Sequence, residues 1–358
     1  MSKGAAIASK QTGSLRALCA GRRRQQLEHL RFSLLFLAAA YCVAEPLRGP
    51  IAAIEFYGAA AVDFTRLRAV FPFHVGDIFE LKEATDPDRS PEEFQTLINK
   101  NRISVAPVFI PDLNGWVFYV DVEPPDASPA IWNPAPAATG KLPAKIVHLY
   151  EHAMNRMVNG GIFAGDETTK GYSLSKDPIM REDELRLIKY ARAHAYRVYS
   201  VLKRSASARD RIAAAWIAGY APKSSDQLAA LLYAVMDPDS AVRNNAIRVL
   251  AVLASHDASI ARQIPPDPFI PMLRSLTWTD RNKALFLLDA VTAAREPNTI
   301  ESLRRQAIEP LRQMSRWTYW DHASMSLVLL GRIAEIPEER LQTLLQAHDA
   351  AAILDHIR

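Results

Sequence analysis

Apolar side chains recur at helical spacing through the second half of the chain, and one stretch shows the pattern most fully. In Asp237–Ser255 (DPDSAVRNNAIRVLAVLAS), Val242, Ala246, Val249, Leu250 and Leu253 stand at i, i+4, i+7, i+8 and i+11, one face of a helix. The Asp237-Pro238-Asp239-Ser240 turn before it ends in residues whose short acceptor side chains can take the free N–H groups of a first turn. Leu228, Leu231, Leu232 and Val235 mark a preceding helix, and Ala284, Leu287, Leu288 and Val291 a following one. The same spacing predicts helices over Glu182–Lys203, Ala208–Ala218, Pro268–Leu276, Thr299–Ser315, Asp321–Glu335, Glu338–Ala347 and Ala350–Ile357.

The first half has a different rhythm. Ile51–Gly58 alternates as a strand, and Phe64, Leu67 and Val70 give a short helix that Val75-Gly76-Asp77 breaks. Ser90-Pro91-Glu92-Glu93 starts a second helix, to Lys100. Val105–Ile110 and Trp116–Val122 are strands about an Asn114-Gly115 turn, a hairpin signal. Residues 50–126 therefore predict a small β-α-α-β-β module. A proline-rich linker, 127–143, reads as an extended spacer whose Trp132 packs on a neighbouring domain. Residues 144–180 hold a helix, Ala144–Asn159, and a glycine-rich loop, leaving 181–358 as helical repeats.

Composition changes this picture in two places. Apolar content of 49% with 23% charged is enough for a sizeable core. The net charge of +4 is misleading, because residues 1–44 carry seven basic side chains and one acid, which leaves −2 for the rest. The basic balance belongs to a leader and gives no argument for nucleic acid. Beyond the leader, residues 45–180 are net −6 and 181–358 net +4, a difference that could draw the two parts together. The leader's Phe32–Ala44 run is too short to span a bilayer and reads as a signal-peptide core with cleavage before Glu45. The expected location is therefore exported, periplasmic or extracellular and bacterial, with membrane contact only through an uncleaved leader. Cys19 and Cys42 both lie in the leader, so the mature chain offers no thiolate.

Second helices open on similar text: Asp210-Arg211 to Ala214, Val242-Arg243 to Ala246, Asp280-Arg281 to Ala284, and more loosely Asp321-His322. The arginines are 32 and 38 residues apart. This text resembles HEAT repeats, stacked helix pairs that form an α-solenoid. Ile54–Gly58, Val75–Phe79 and Val120–Glu123 resemble the POTRA modules of outer-membrane assembly proteins, although Asn101-Arg102-Ile103 replaces the expected aromatic-glycine turn. With Arg243–Ala246 and Thr277–Lys283, the whole is similar to a family of secreted bacterial HEAT-repeat proteins. That likeness implies an architecture and no activity: mostly α, a HEAT-like solenoid preceded by a small α+β module.

In HEAT arrays the repeat arginine commonly pairs with the turn aspartate of an adjacent repeat, the role that the resemblance implies for Arg211, Arg243 and Arg281. The alternative is an exposed row for a partner, comprising Arg243, Asn244, Asn245, Trp278, Asp280, Arg281, Asn282 and Lys283. Trp and Arg there would make anchors. No convergent nucleophile, base and oxyanion set is visible, so the expectation is a non-enzymatic scaffold for a protein or peptide, with no cofactor. A second reading gives the binding to the POTRA-like module, by strand addition along an edge. A third takes His148-Leu-Tyr-Glu151-His152 as the H-x-x-E-H of a zinc hydrolase, though no glutamate stands between Glu184 and Glu296 to serve as the third ligand.

Overall fold

The computed structural model describes residues 48–58, 64–80, 102–123, 132–159 and 166–357; the leader, the second module helix and the start of the glycine-rich loop, 160–165, lie outside them. The described chain is mostly helical with a small mixed sheet near its start. β1 (Arg48–Gly58), α1 (Phe64–Val70), β2 (Ile78–Glu80), β3 (Arg102–Ile110) and β4 (Gly115–Glu123) come first. The sheet order is β2-β1-β4-β3, with β1 parallel to β4 and the other neighbours antiparallel. Asn114 turns the β3–β4 connection at φ 43°, a left-handed position that asparagine tolerates.

Both faces of this sheet are covered. On one, Phe71, Phe79, Trp116, Phe118 and Val120 close a core with Leu67 of α1, with ring centroids 4.8–6.5 Å apart. On the other, Ala53, Tyr57, Ala106, Val108, Val117 and Tyr119 belong to the same core as the helices. A strand buried on both sides loses its polar alternation. This explains why β4 is buried throughout except at Glu123.

The helices follow: α2 (Ala144–Asn159), then a two-stranded β5 (Asp166–Glu167) and β6 (Leu174–Ser175), then α3 (Pro178–Ala193), α4 (Ala195–Arg204), α5 (Ala208–Ala218), α6 (Ser225–Ala234), α7 (Ser240–His256) and α8 (Ala258–Ala261). α9 (Trp278–Thr292), α10 (Pro297–Gln306), α11 (Ile308–Met314), α12 (Trp320–Ile333), α13 (Glu338–Gln346) and α14 (Ala350–Leu354) complete the chain. α5, α7, α9 and α12 pack side by side in that order.

Asp239 caps α7 by accepting from Ala241 N and Val242 N at 2.9 and 3.2 Å. The one apolar face expected of this helix becomes burial on every side, from Val242 to Ala254. Two helices expected to be continuous are split. One turns at His194, between α3 and α4. The other breaks at Ala307, because Pro310 has no N–H to give Gln306 O and its ring would clash there. Arg274 Nη2 takes that carbonyl instead, at 2.6 Å.

The proline-rich segment is a strap. Its prolines keep it extended, and three of its N–H groups bind at or near the ends of helices: Asn133 N to Met236 O at 2.8 Å, Ala138 N to Arg204 O at 3.0 Å, Leu142 N to Asp210 Oδ1 at 2.8 Å. It therefore does not serve as a free spacer over 132–143. No described helix is long and apolar enough to cross a membrane.

Candidate functional site

Three arginines make one local device three times. Arg211, Arg243 and Arg281 each send Nη1 back to a carbonyl six residues earlier, on Ser205, Asp237 and Ser275. The rest of each guanidinium reaches across to a carboxylate. Arg211 binds Asp237 at 2.8 and 3.0 Å, and Arg243 binds Asp280 at 2.9 and 2.7 Å, both as two-pronged pairs. Planar guanidinium and carboxylate match in this geometry, so each rung fixes the register of the neighbouring helices it joins. Trp132 of the strap lies 3.8 Å from the Arg243 guanidinium and closes it over.

The last rung comes from the sheet. Arg281 Nη2 binds Asp121 Oδ1 of β4 at 2.5 Å, with both side chains fully buried. Tyr57 OH donates to Leu273 O at 2.5 Å, the Glu55 carboxylate accepts from Thr318 N at 2.5 Å, and Tyr119 OH meets His322 Nδ1. Burial pushes the Asp121 carboxyl up to about 6 even with Arg281 against it, and drives the His322 imidazole down to about 3. Sheet and helices thus share a buried polar seam.

Every partner-binding candidate, Asn244 and Asn282 included, is buried, none more than 6% exposed. Arg243, Asp280 and Arg281 are rungs. Asn245 Nδ2 donates to Tyr150 OH and Ile212 O at 3.0 and 3.1 Å. Trp278 packs against the Tyr119 and His322 rings. Lys283 is buried near Arg248, and burial first and that charge second bring its ammonium down to about 7. The exposed row does not exist. Carboxylates drew the arginines inward, and the sheet and α2 cover the helix starts.

A buried acid accompanies them. Glu184, fully buried, accepts from Ser175 N at 2.6 Å, and burial raises its carboxyl to about 7. A carboxyl raised from 4.5 stabilises most below pH 4.5, and that contribution is lost as pH rises through 7. Glu184→Gln is therefore expected to be more stable than the parent by about 2–3 kcal/mol at pH 8. The difference should vanish at pH 4, as urea titrations at both pH values would show; equal differences would refute it.

The H-x-x-E-H residues part company. Glu151 takes Arg209 at 2.5 and 2.6 Å, His152 Nδ1 lies 2.5 Å from Asp183 Oδ2, and His148 is exposed. Among the described residues no group of three or more His, Cys, Asp or Glu is placed to hold a metal.

What the structure does open is a groove of about 540 Å³ between sheet and helices. Ser104, Val105 and Ala106 of β3 form one wall. Tyr150, Glu151, Met154 and Met157 of α2, Ile212 of α5, and the starts of α7 and α9 form the rest. The Arg209–Glu151 pair sits at its rim. β3 is the edge of the sheet among the described strands. Pro107 has no N–H to give β4, so its nitrogen belongs on the open side. The two-residue period then turns Val105 N–H and C=O the same way. No spacing in the sequence marks this groove, since its walls come from five separate segments. No protein-family model matches the chain, and no curated protein matches it.

Proposed function

We propose that this chain is a non-enzymatic, exported scaffold in which a HEAT-like helical array and a POTRA-like sheet together hold an extended segment of a protein or peptide. The observation that carries this reading is the groove. Among the described residues β3 is the sheet's outer strand, and its Ser104–Ala106 stretch faces an adaptable apolar wall of Met154, Met157 and Ile212. This reading combines the two expectations from the sequence, binding by the helices and binding by strand addition, because the groove is lined by both β3 and the helices. On this reading Glu151, held by Arg209, serves the groove's rim, and His152, held by Asp183, lies outside its lining.

Selection of a displayed random-peptide library on the purified protein tests the groove. Peptides are expected to bind the parent and to lose at least tenfold in affinity to Met154→Arg, which puts a charge in the apolar wall. Binding unaffected by that change would remove the groove from the proposal. Export is checked separately. Mass spectrometry of protein recovered from producing bacteria should show an N-terminus near Glu45, and an intact leader would overturn it.

A further inference from the structure

A second cavity, of about 350 Å³, lies at the other end of the helices that line the groove. Gly219, Tyr220 and Ala221 just past α5 line it, with Leu253 near the end of α7. The groove takes the starts of the same two helices, and Ala241 and Leu253 stand about 18 Å apart along α7. Three cations surround the second cavity: Lys170 from the turn between β5 and β6, Arg192 from the last turn of α3, and Lys223 from the loop after α5. All three are exposed, and among the described residues no carboxylate lines the space with them. We infer that this cavity binds a phosphate monoester, independently of the groove.

Three like charges around one cavity repel unless something answers them. The acids within reach do so only in part. Lys223 Nζ lies 3.5 Å from Asp257 Oδ2, a half-exposed pair of the kind that contributes little, and the other oxygen of Asp257 is taken by Ser259. Glu167, which acts on Lys170, already accepts from Arg181 at 2.9 Å. Arg192 has no ion pair among the described residues. The ends of α3, α5 and α7 meet here, and helix C-termini attract cations. That attraction accounts for Arg192, whereas Lys170 and Lys223 come from loops. The loop carrying Lys170 is shaped to sit there. Gly171 N donates to Thr168 O at 2.9 Å, its φ is 77°, and a Cβ on it would come 2.8 Å from His256 Cδ2. Glycine thus lets the turn pack on the end of α7 and brings Lys170 and Tyr172 to the cavity.

The set matches a phosphoryl group. Arg192 offers a planar fork for two oxygens, and two lysines add point charges for a dianion. A single carboxylate would leave most of that charge unanswered. The volume is that of a small-molecule site, larger than a bare ion fills. Tyr172, edge-on to Tyr220 with centroids 5.8 Å apart, and Leu253 give the organic part of the ester an apolar surface.

Two titrations of the purified full chain test this. Calorimetry compares glucose 6-phosphate with glucose, and co-sedimentation compares phosphatidylcholine vesicles with and without phosphatidic acid. At least one phosphate probe is expected to bind ten times or more tightly than its phosphate-free counterpart. Arg192→Gln and Lys223→Gln should each weaken that binding about tenfold while melting as the parent does, since both side chains are exposed. Met154→Arg, in the groove, should bind the probe as the parent does. Either probe supports the site: the sugar ester alone assigns a soluble ligand, and phosphatidic acid alone a membrane head group. Failure of both phosphate probes to bind, or binding that survives both substitutions, would overturn the inference. Variants that melt lower yet bind as tightly as the parent would also overturn it, leaving the cations to the helix ends.

Discussion

Asp280→Ala is expected to cost the fold about 3–5 kcal/mol. Asp280 is fully buried, takes both prongs of Arg243 and accepts from Ser275 Oγ at 2.9 Å. Its removal leaves the Arg243 guanidinium, 2% exposed, with two carbonyls and the Trp132 ring but no counter-charge. A stranded buried charge costs more than the intact pair contributes, because desolvating both ions consumes most of their attraction. The double variant Arg243→Leu/Asp280→Leu should therefore recover most of the loss. Denaturant melts of the two single variants and the double variant measure this directly. A double variant as unstable as the sum of its parts would show that the rung acts through something other than charge pairing.

Asp121→Ala is expected to cost a similar amount, about 3–5 kcal/mol, and to reveal that sheet and helices unfold together. It strands Arg281, which is fully buried, at the seam where Tyr57, Glu55 and Tyr119 also reach the helices. Because one core contains Val117, Tyr119, Trp278 and Leu288, loss of this rung loosens both sides. Amide hydrogen exchange should show protection falling in β4 and α9 alike. If protection fell in the sheet and α9 kept its parent rates, the sheet would be an independent module and the seam only a contact.

Local signals carried the parts of the fold that short stretches determine. The Asp239 cap, the left-handed Asn114 and the repeat arginines were legible because a turn, a cap or a recurring Asp-Arg pair states itself within a few residues. Pairing of Arg211 and Arg243 with aspartates was implied by the resemblance to HEAT repeats, with an exposed row as the alternative, and the structure shows the pairs. The partner of Arg281 was not legible, because Asp121 lies 160 residues away in another kind of element. One clue was available: Asp121 is the only charge in an otherwise apolar strand from Trp116 to Val122, and such a charge needs a buried partner. The burial of Asn244, Lys283 and Arg281 was hidden for the same reason. What covers them comes from the sheet and from α2, and helix periodicity says nothing about either. The groove was the least legible feature, since Ser104–Ala106, Met154 and Ile212 meet only after the sheet has docked.

The seam also constrains when the chain can become itself. Repeat arrays ordinarily form from neighbour to neighbour, each helix pair finding its surface in the next. Here Glu55 must wait for Thr318, 263 residues later, and Tyr57 for Leu273, 216 residues later. Contacts that far apart close only after a large loop entropy has been overcome, which slows folding. The sheet is synthesised first, and Tyr57 and Tyr119 on its array-facing side can meet Leu273 and His322 only after those late residues have been made. For a chain that emerges from its N-terminus, the last hundred residues decide when folding can end.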